Sequence, residues 1–203
     1  MAQFGKAIFG AAVLTLMAGG ASAATIYASS VTALKGTTPS TCTVAERTAD
    51  RSNICNALGA PDGDADTGGG IGFVSSGLYD SLTFGFDKNF TAPVTVFEIT
   101  GNRDRSYVEK LDLTFSVVSG GQTYVGTIIN TSGMPGADDD QWAISVMFDA
   151  KGPFNSITVS DNSSTPDGFD IDAIAVSAIP VPAAGFMLLA GLGGLAAARR
   201  RKA

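Results

Sequence analysis

Residues 81–86, SLTFGF, decide how this chain reads: Leu82, Phe84 and Phe86 alternate with small or polar residues at a strict period of two. Successive side chains of a β-strand point to opposite faces, so this alternation builds one apolar face, whereas a helix needs apolar residues three and four apart. The pattern recurs. Leu111, Leu113, Phe115 and Val117 alternate in LDLTFSV (111–117), and Trp142, Ile144, Val146 and Phe148 in QWAISVMF (141–148), where Trp142 reads as core. TIYASSVTAL (25–34), VTVFEIT (94–100), QTYVGTII (122–129), NSITVS (155–160) and GFDIDAIAV (168–176) are further strand candidates. Turn formers separate them in SGGQ (119–122), SGMPGADDD (132–140), AKGP (150–153) and DNSSTPDG (161–168). About eight strands and no long helical period predict an all-β domain, most economically two sheets face to face as a jelly-roll-like β-sandwich.

At 203 residues the chain holds one ordinary domain once its ends are set aside. All 19 carboxylates lie between Ala24 and Pro180, where only eight basic side chains accompany them, a net charge of −11. Such a field repels the phosphates of nucleic acid and anionic lipid. The chain has no histidine, which removes Ser-His-Asp and Cys-His catalysis and every His-ligated metal site.

Both ends read as addresses. Lys6, an uncharged run from Ala7 to Ala18 and ASAA (21–24) follow the basic, apolar, small-residue order of a secretory signal peptide. Cleavage is expected after Ala23, with Ala24 as the alternative, which makes 1–23 the signal peptide, 24–178 the ectodomain and 179–203 a separate C-terminal segment. In that segment Ile179 to Ala198 runs 20 residues without a charge before the basic stop of Arg199, Arg200, Arg201 and Lys202. Pro180 and Pro182 disfavour helix at its entrance, so a single hydrophobic helix is expected from Ala183, a short membrane span with a small-residue face at Gly191, Gly193 and Gly194.

IPVPAAGFMLLAGLGGLAAARRRKA (179–203) resembles the VPLPA-CTERM sorting signal, a relative of the PEP-CTERM signals handled by exosortases in Gram-negative bacteria. The motif falls on Ile179, Pro180, Val181, Pro182 and Ala183, with Ile for Val and Val for Leu as conservative departures. The resemblance implies export, tethering in the inner membrane, cleavage by an exosortase-like enzyme and delivery to the cell surface or a glycan-rich matrix. A single-pass anchor that is never cut is the alternative. ALGAPDG (57–63), DSLTFGFD (80–87), VFEITG (96–101) and GFDIDAIAV (168–176) together resemble a secreted β-sandwich module of exosortase-sorted proteins, which implies a galactose-binding-like shape.

Cys42 and Cys55 are the only cysteines, and an exported chain is expected to join them, a loop worth about 3 kcal/mol by chain entropy. Asp62, Asp64 and Asp66 alternate like the start of a calcium loop, but Thr67 and Phe73 stand where an EF-hand needs Gly and Glu, so a solvated turn is the simpler reading. Asp138, Asp139 and Asp140 read as a loop tip. Asp170 and Asp172 fall, by alternation, on the face of Ile174 and Val176, where unpaired carboxylates are costly. A structural Ca²⁺ shared with Glu98 and Asp161, or with Asp167, removes that cost; a strand that starts at the wet rim of the sandwich is the other solution. The chain is therefore expected to be a structural or adhesive surface protein and not an enzyme, with polysaccharide as a partner. A glycan-binding module using Tyr79, Tyr107 or Tyr124, or a carbohydrate-active enzyme pairing Glu98 with an aspartate, are the rival readings.

Overall fold

A computed structural model describes residues 23–61, 72–99, 112–133, 141–162 and 168–180, without the side chains of 130–133 and 141–142. Residues 1–22 of the expected signal peptide, Val181, Pro182, Ala183 and the Arg199 to Lys202 cluster lie outside the described residues, as do Asp62, Asp64, Asp66, Tyr107, Asp138 to Asp140, Asp167 and the side chain of Trp142. Among the described residues no helix is long and apolar enough to cross a membrane.

The described chain is all-β. Its strands are β1 Thr25–Tyr27, β2 Ser30–Lys35, β3 Thr38–Cys42, β4 Val74–Ser75, β5 Ser81–Ile99, β6 Leu113–Ser119, β7 Gln122–Gly133, β8 Gln141–Phe148, β9 Phe154–Asp161 and β10 Asp170–Ala178. The helical residues described are two 3₁₀ turns, Ile54–Ala57 and Ser76–Leu78.

β5 organises the sheet. Its first half pairs with β2 on one edge and β9 on the other, from Leu82↔Val159 to Gly85↔Ser156. Its second half pairs with β8, Val94↔Val146 to Ile99↔Gln141, and with β10. β7 divides its pairing in the same way between β6 and β8, with a register shift between Ile128 and Asn130. Because β6 also pairs with β9, the hydrogen-bonded path β5–β8–β7–β6–β9 returns to β5. The two expected sheets are thus one continuous ten-stranded sheet folded on itself, sandwich-like or barrel-like in class. Its inner face buries Leu82, Phe84, Val96, Phe115, Val117, Ile144, Val146, Ile157 and Val159 as one core.

Three differences from the sequence reading have physical causes. SLTFGF and VTVFEIT are one strand, because Phe90 between them is fully buried against Phe86 and Phe154, at ring distances of 4.8 and 5.7 Å. The corner is taken by the exposed Asp87, Lys88 and Asn89. TIYASSVTAL is two strands: after β1 the chain crosses from β10 to β5 through Ala28 N to Ile174 O and Ser29 N to Gly85 O. β3, TPSTC, has no apolar alternation and forms as the return strand of a hairpin whose turn holds Gly36 at φ +60°. The SGGQ turn forms as read, Gly120 and Gly121 both having positive φ between Ser119 and Gln122.

Gly126 of β7 sits where a Cβ would meet Val146 Cγ1 at 2.5 Å and Phe148 Cε1 at 2.7 Å. Alanine is ordinarily the better strand residue, yet here it overpacks two buried side chains. Gly126→Ala is expected to lower the unfolding free energy in urea by about 1–3 kcal/mol.

Candidate functional site: the arginine–carboxylate cluster over β10

β10 is buried along its whole length except at Ser177. β5 runs along one of its edges, and β1 and β4 along the other. Directly opposite residues of an antiparallel pair project to the same face. Ile171, Ile174 and Val176 oppose Glu98, Val96 and Val94, so these three share the inner face. Ile171 and Ile174 are three residues apart, and the ladder slips between Ile171 and Ala173, which makes Asp172 the extra residue of a β-bulge. The bulge reverses the phase expected from alternation: Asp170, adjacent to Ile171, falls on the face opposite Ile174 and Val176.

That opposite face is covered by the loop between β3 and β4, and the loop supplies two arginines. Arg51 Nη2 donates to both carboxylate oxygens of Asp170, at 3.1 and 3.2 Å, and to Ser75 Oγ at 3.2 Å. Its guanidinium carbon stands 5.3 Å from the centroid of the Phe73 ring. Arg47 Nη1 lies 3.7 Å from Asp172 Oδ1, and the Asp172 side chain is 0% exposed. The same guanidinium donates to the carbonyls of Asn56 and Gly72 and, at 2.7 Å, of Ala60. Arg47 thus ties the loop's far end to its start while it faces the carboxylate.

Two devices shape the loop. Cys42 and Cys55 form the expected disulfide, with Cα atoms 5.5 Å apart. Fully buried Asn56 accepts from Thr48 N at 3.0 Å and directs its amide group at the carbonyls of Thr48, Asp50 and Phe73, at 3.1, 3.0 and 3.0 Å. At the outer turn, hydrogen bonds from the Ser52 hydroxyl and then the Ser52 amide hold the Asp50 carboxyl below its usual value of 3.8. Its contribution is full above that unfolded value and fades as the pH falls through the lower folded one. Burial, and then the charge of Asp50, push the Tyr79 phenol upward, and its hydroxyl donates to the Ser52 carbonyl.

The carboxylates named from sequence are therefore distributed rather than pooled. Asp170 and Asp172 meet guanidinium groups. Glu98, 2% exposed, lies on the inner face with Val96 and Val94. Asp161 Oδ2 accepts from Phe169 N at 3.0 Å and lies 2.8 Å from Ser76 Oγ, which pins the entry to β10. Gly168 is required there, because a Cβ would collide with Asp161 Oδ2 and with the backbone of Gly77. Among the described residues no group of three or more His, Cys, Asp or Glu side chains is placed to hold a metal ion. Of the tyrosines, Tyr79 is engaged with the loop, and Tyr124 packs against the core with its hydroxyl on Gln122 Oε1 at 2.9 Å.

Sequence reasoning missed Arg47, Arg51 and Asn56. The available signal was that both arginines lie between the two cysteines of an acidic domain with few cations. Chemically, the arrangement neutralises buried charge inside the chain and locks a loop onto the sheet. Set beside known proteins, the chain matches no family model and no curated protein.

Arg51, 38% exposed, faces the buried Asp170 carboxylate, and its removal weakens that carboxylate's charge compensation, so Arg51→Ala is expected to cost about 1–3 kcal/mol in denaturant unfolding. Arg51→Met combined with Asp170→Leu should recover most of that loss. With guanidinium groups already facing the carboxylates, the melting temperature should not move when EGTA is added. Reduction of the Cys42–Cys55 bond is expected to lower stability by about 3 kcal/mol in the same unfolding assay.

Proposed function

We propose that this protein is exported, tethered by its C-terminal apolar segment, cut at the proline motif by an exosortase-like enzyme and delivered to the cell surface or extracellular matrix. There it has a structural or adhesive, non-catalytic role. The observation that carries this reading is the order in residues 179–203 of a proline motif, an uncharged glycine-rich run and a basic terminus, opposite an N-terminal stretch with signal-peptide order. We assign the folded part to the jelly-roll-like, galactose-binding-like sandwiches; its all-β composition and its two long strands, each pairing with different neighbours along its length, are compatible with that shape.

The ends of the fold support the reading. β1 pairs with the last strand, Thr25↔Ser177, and Ala178 N donates to Ala24 O at 2.9 Å. Ile179, where the proline motif begins, is held by its amide to Asn89 O at 2.9 Å. Both addresses therefore attach at one edge of the domain, and a tether there leaves the remaining surface available to a matrix. The disulfide suits an oxidising compartment.

Intact mass of the native protein from membrane, surface and medium fractions tests the proposal. A chain beginning near Ala24 and ending between Pro180 and Ala184 is the expected result. A mass that retains Arg199 to Ala203 in every fraction would overturn processing and leave a permanent anchor.

A further inference from the structure

On the outer face of the sheet one row of side chains crosses six strands: Thr41 of β3, Thr32 of β2, Thr83 of β5, Thr158 of β9, Ser116 of β6 and Val125 of β7, each opposite the next. Neighbouring strands stand about 4.8 Å apart, so the row is a regular array, exposed at Thr41 and Val125 and half-buried between them. Its hydroxyls are partly organised already. Thr32 and Thr41 share a hydrogen bond of 3.0 Å, and Thr83 and Thr158 one of 2.9 Å. The flanking rows continue the chemistry, with Ser160 opposite Thr114 on one side and Ser30 opposite Gly85 on the other.

None of these paired positions carries a charge, although residues 24–180 carry a net −11. Among the described residues, charges stand beyond these rows, as at Lys35 at the end of β2, Asp80 just before β5, Asp87 and Lys88 at the β5 corner and Asp112 just before β6. A hydroxyl both donates and accepts, so a row of hydroxyls complements a ligand whose polar groups are themselves hydroxyls. Carboxylates and phosphates only accept, and they would meet a repelling field. Among the described residues, a cationic group finds no carboxylate within the row itself. The threonine methyls, with Val125 64% exposed and Val118 56% exposed, add apolar contact suited to the C–H faces of sugar rings. An array that runs across six strands fits an extended polymer better than a single sugar. A second copy fits poorly, because packing two sheets about 10 Å apart brings two strongly acidic domains within roughly one Debye length.

We propose that this face binds a neutral, hydroxyl-rich polysaccharide laid flat across the strands. The proposal deepens the adhesive reading above and rests on it for the presence of polysaccharide where the protein is delivered.

The test is co-sedimentation of the full chain, held in a polyoxyethylene detergent, with insoluble cellulose and insoluble β-1,3-glucan, and competition by soluble alginate as the acidic polymer. Binding to at least one neutral polymer, uncompeted by alginate, is expected. Thr158→Lys and Val125→Lys, which put a charge into the contact, should each weaken it by about tenfold or more. Thr83→Val with Thr158→Val keeps the shape, removes two hydroxyls and should also weaken binding, with the melting temperature reporting that the fold is retained. The proposal is overturned if the folded protein sediments with neither neutral polymer, if alginate competes equally, or if the lysine variants bind unchanged. It is also overturned if sedimentation equilibrium shows a dimer that Val125→Lys disperses, for the face then belongs to a second copy. A chain that binds but keeps its tail in cells removes the delivery reading alone; a processed chain that does not bind removes this proposal alone.

Discussion

Burying a strand on both faces while two of its residues are aspartates is the constraint from which most of this structure follows. A carboxylate withdrawn from water must find a cation or several donors, since its desolvation costs more than the apolar contacts around it return. At Asp170 and Asp172 the chain meets this demand from within, through Arg51 and Arg47. Those arginines can reach β10 only because the loop that carries them is drawn over it. The loop is held at one end by Cys42–Cys55 and internally by Asn56, and Ser52, Asp50 and Tyr79 fasten its outer turn. A bulge, a disulfide, a buried amide and two ion pairs thus form one mutually dependent arrangement.

Among the described residues, charged side chains stand in the β3–β4 loop, along β10, at or just beyond strand ends and at the β5 corner, and the paired outer positions of β3, β2, β5, β9 and β6 carry hydroxyls and small apolar groups. An antiparallel sheet with one wet face usually offers water a mixture of charges there. The proposed contact with a hydroxyl-rich polymer rests on this row of neutral donors and acceptors. The first and last described strands, β1 and β10, pair with each other, so the points where the fold is entered and left lie side by side, which is compatible with the proposed tether.

Strand identity was legible where alternation is strong, as in SLTFGF, LDLTFSV and NSITVS, because one inner and one outer face impose a period of two on the residues themselves. The disulfide was legible from there being only two cysteines. The site was legible in half: Asp170 and Asp172 announced a buried charge in need of compensation, but alternation assigned them to the wrong face. A bulge leaves no mark on side-chain pattern when every residue around it is buried, as in DIDAIAV. β3 and the junction inside β5 escaped for a related reason. TPSTC and DKNFTAP become strand through the neighbours they pair with and through Phe90, which reaches the core from an otherwise polar stretch.

The sequence by itself determined the all-β class, the apolar face of each strongly alternating strand and the partner of each cysteine. These are properties of local order and composition, and no distant residue alters them. Only the tertiary structure decided that the sheet closes through β5 and β9, that Arg47 and Arg51 stand over β10, and that hydroxyls from strands far apart in the chain fall into one row. Each of these joins residues tens of positions apart, and what selects among the pairings open to such residues is the free energy of packing and charge compensation in the whole fold.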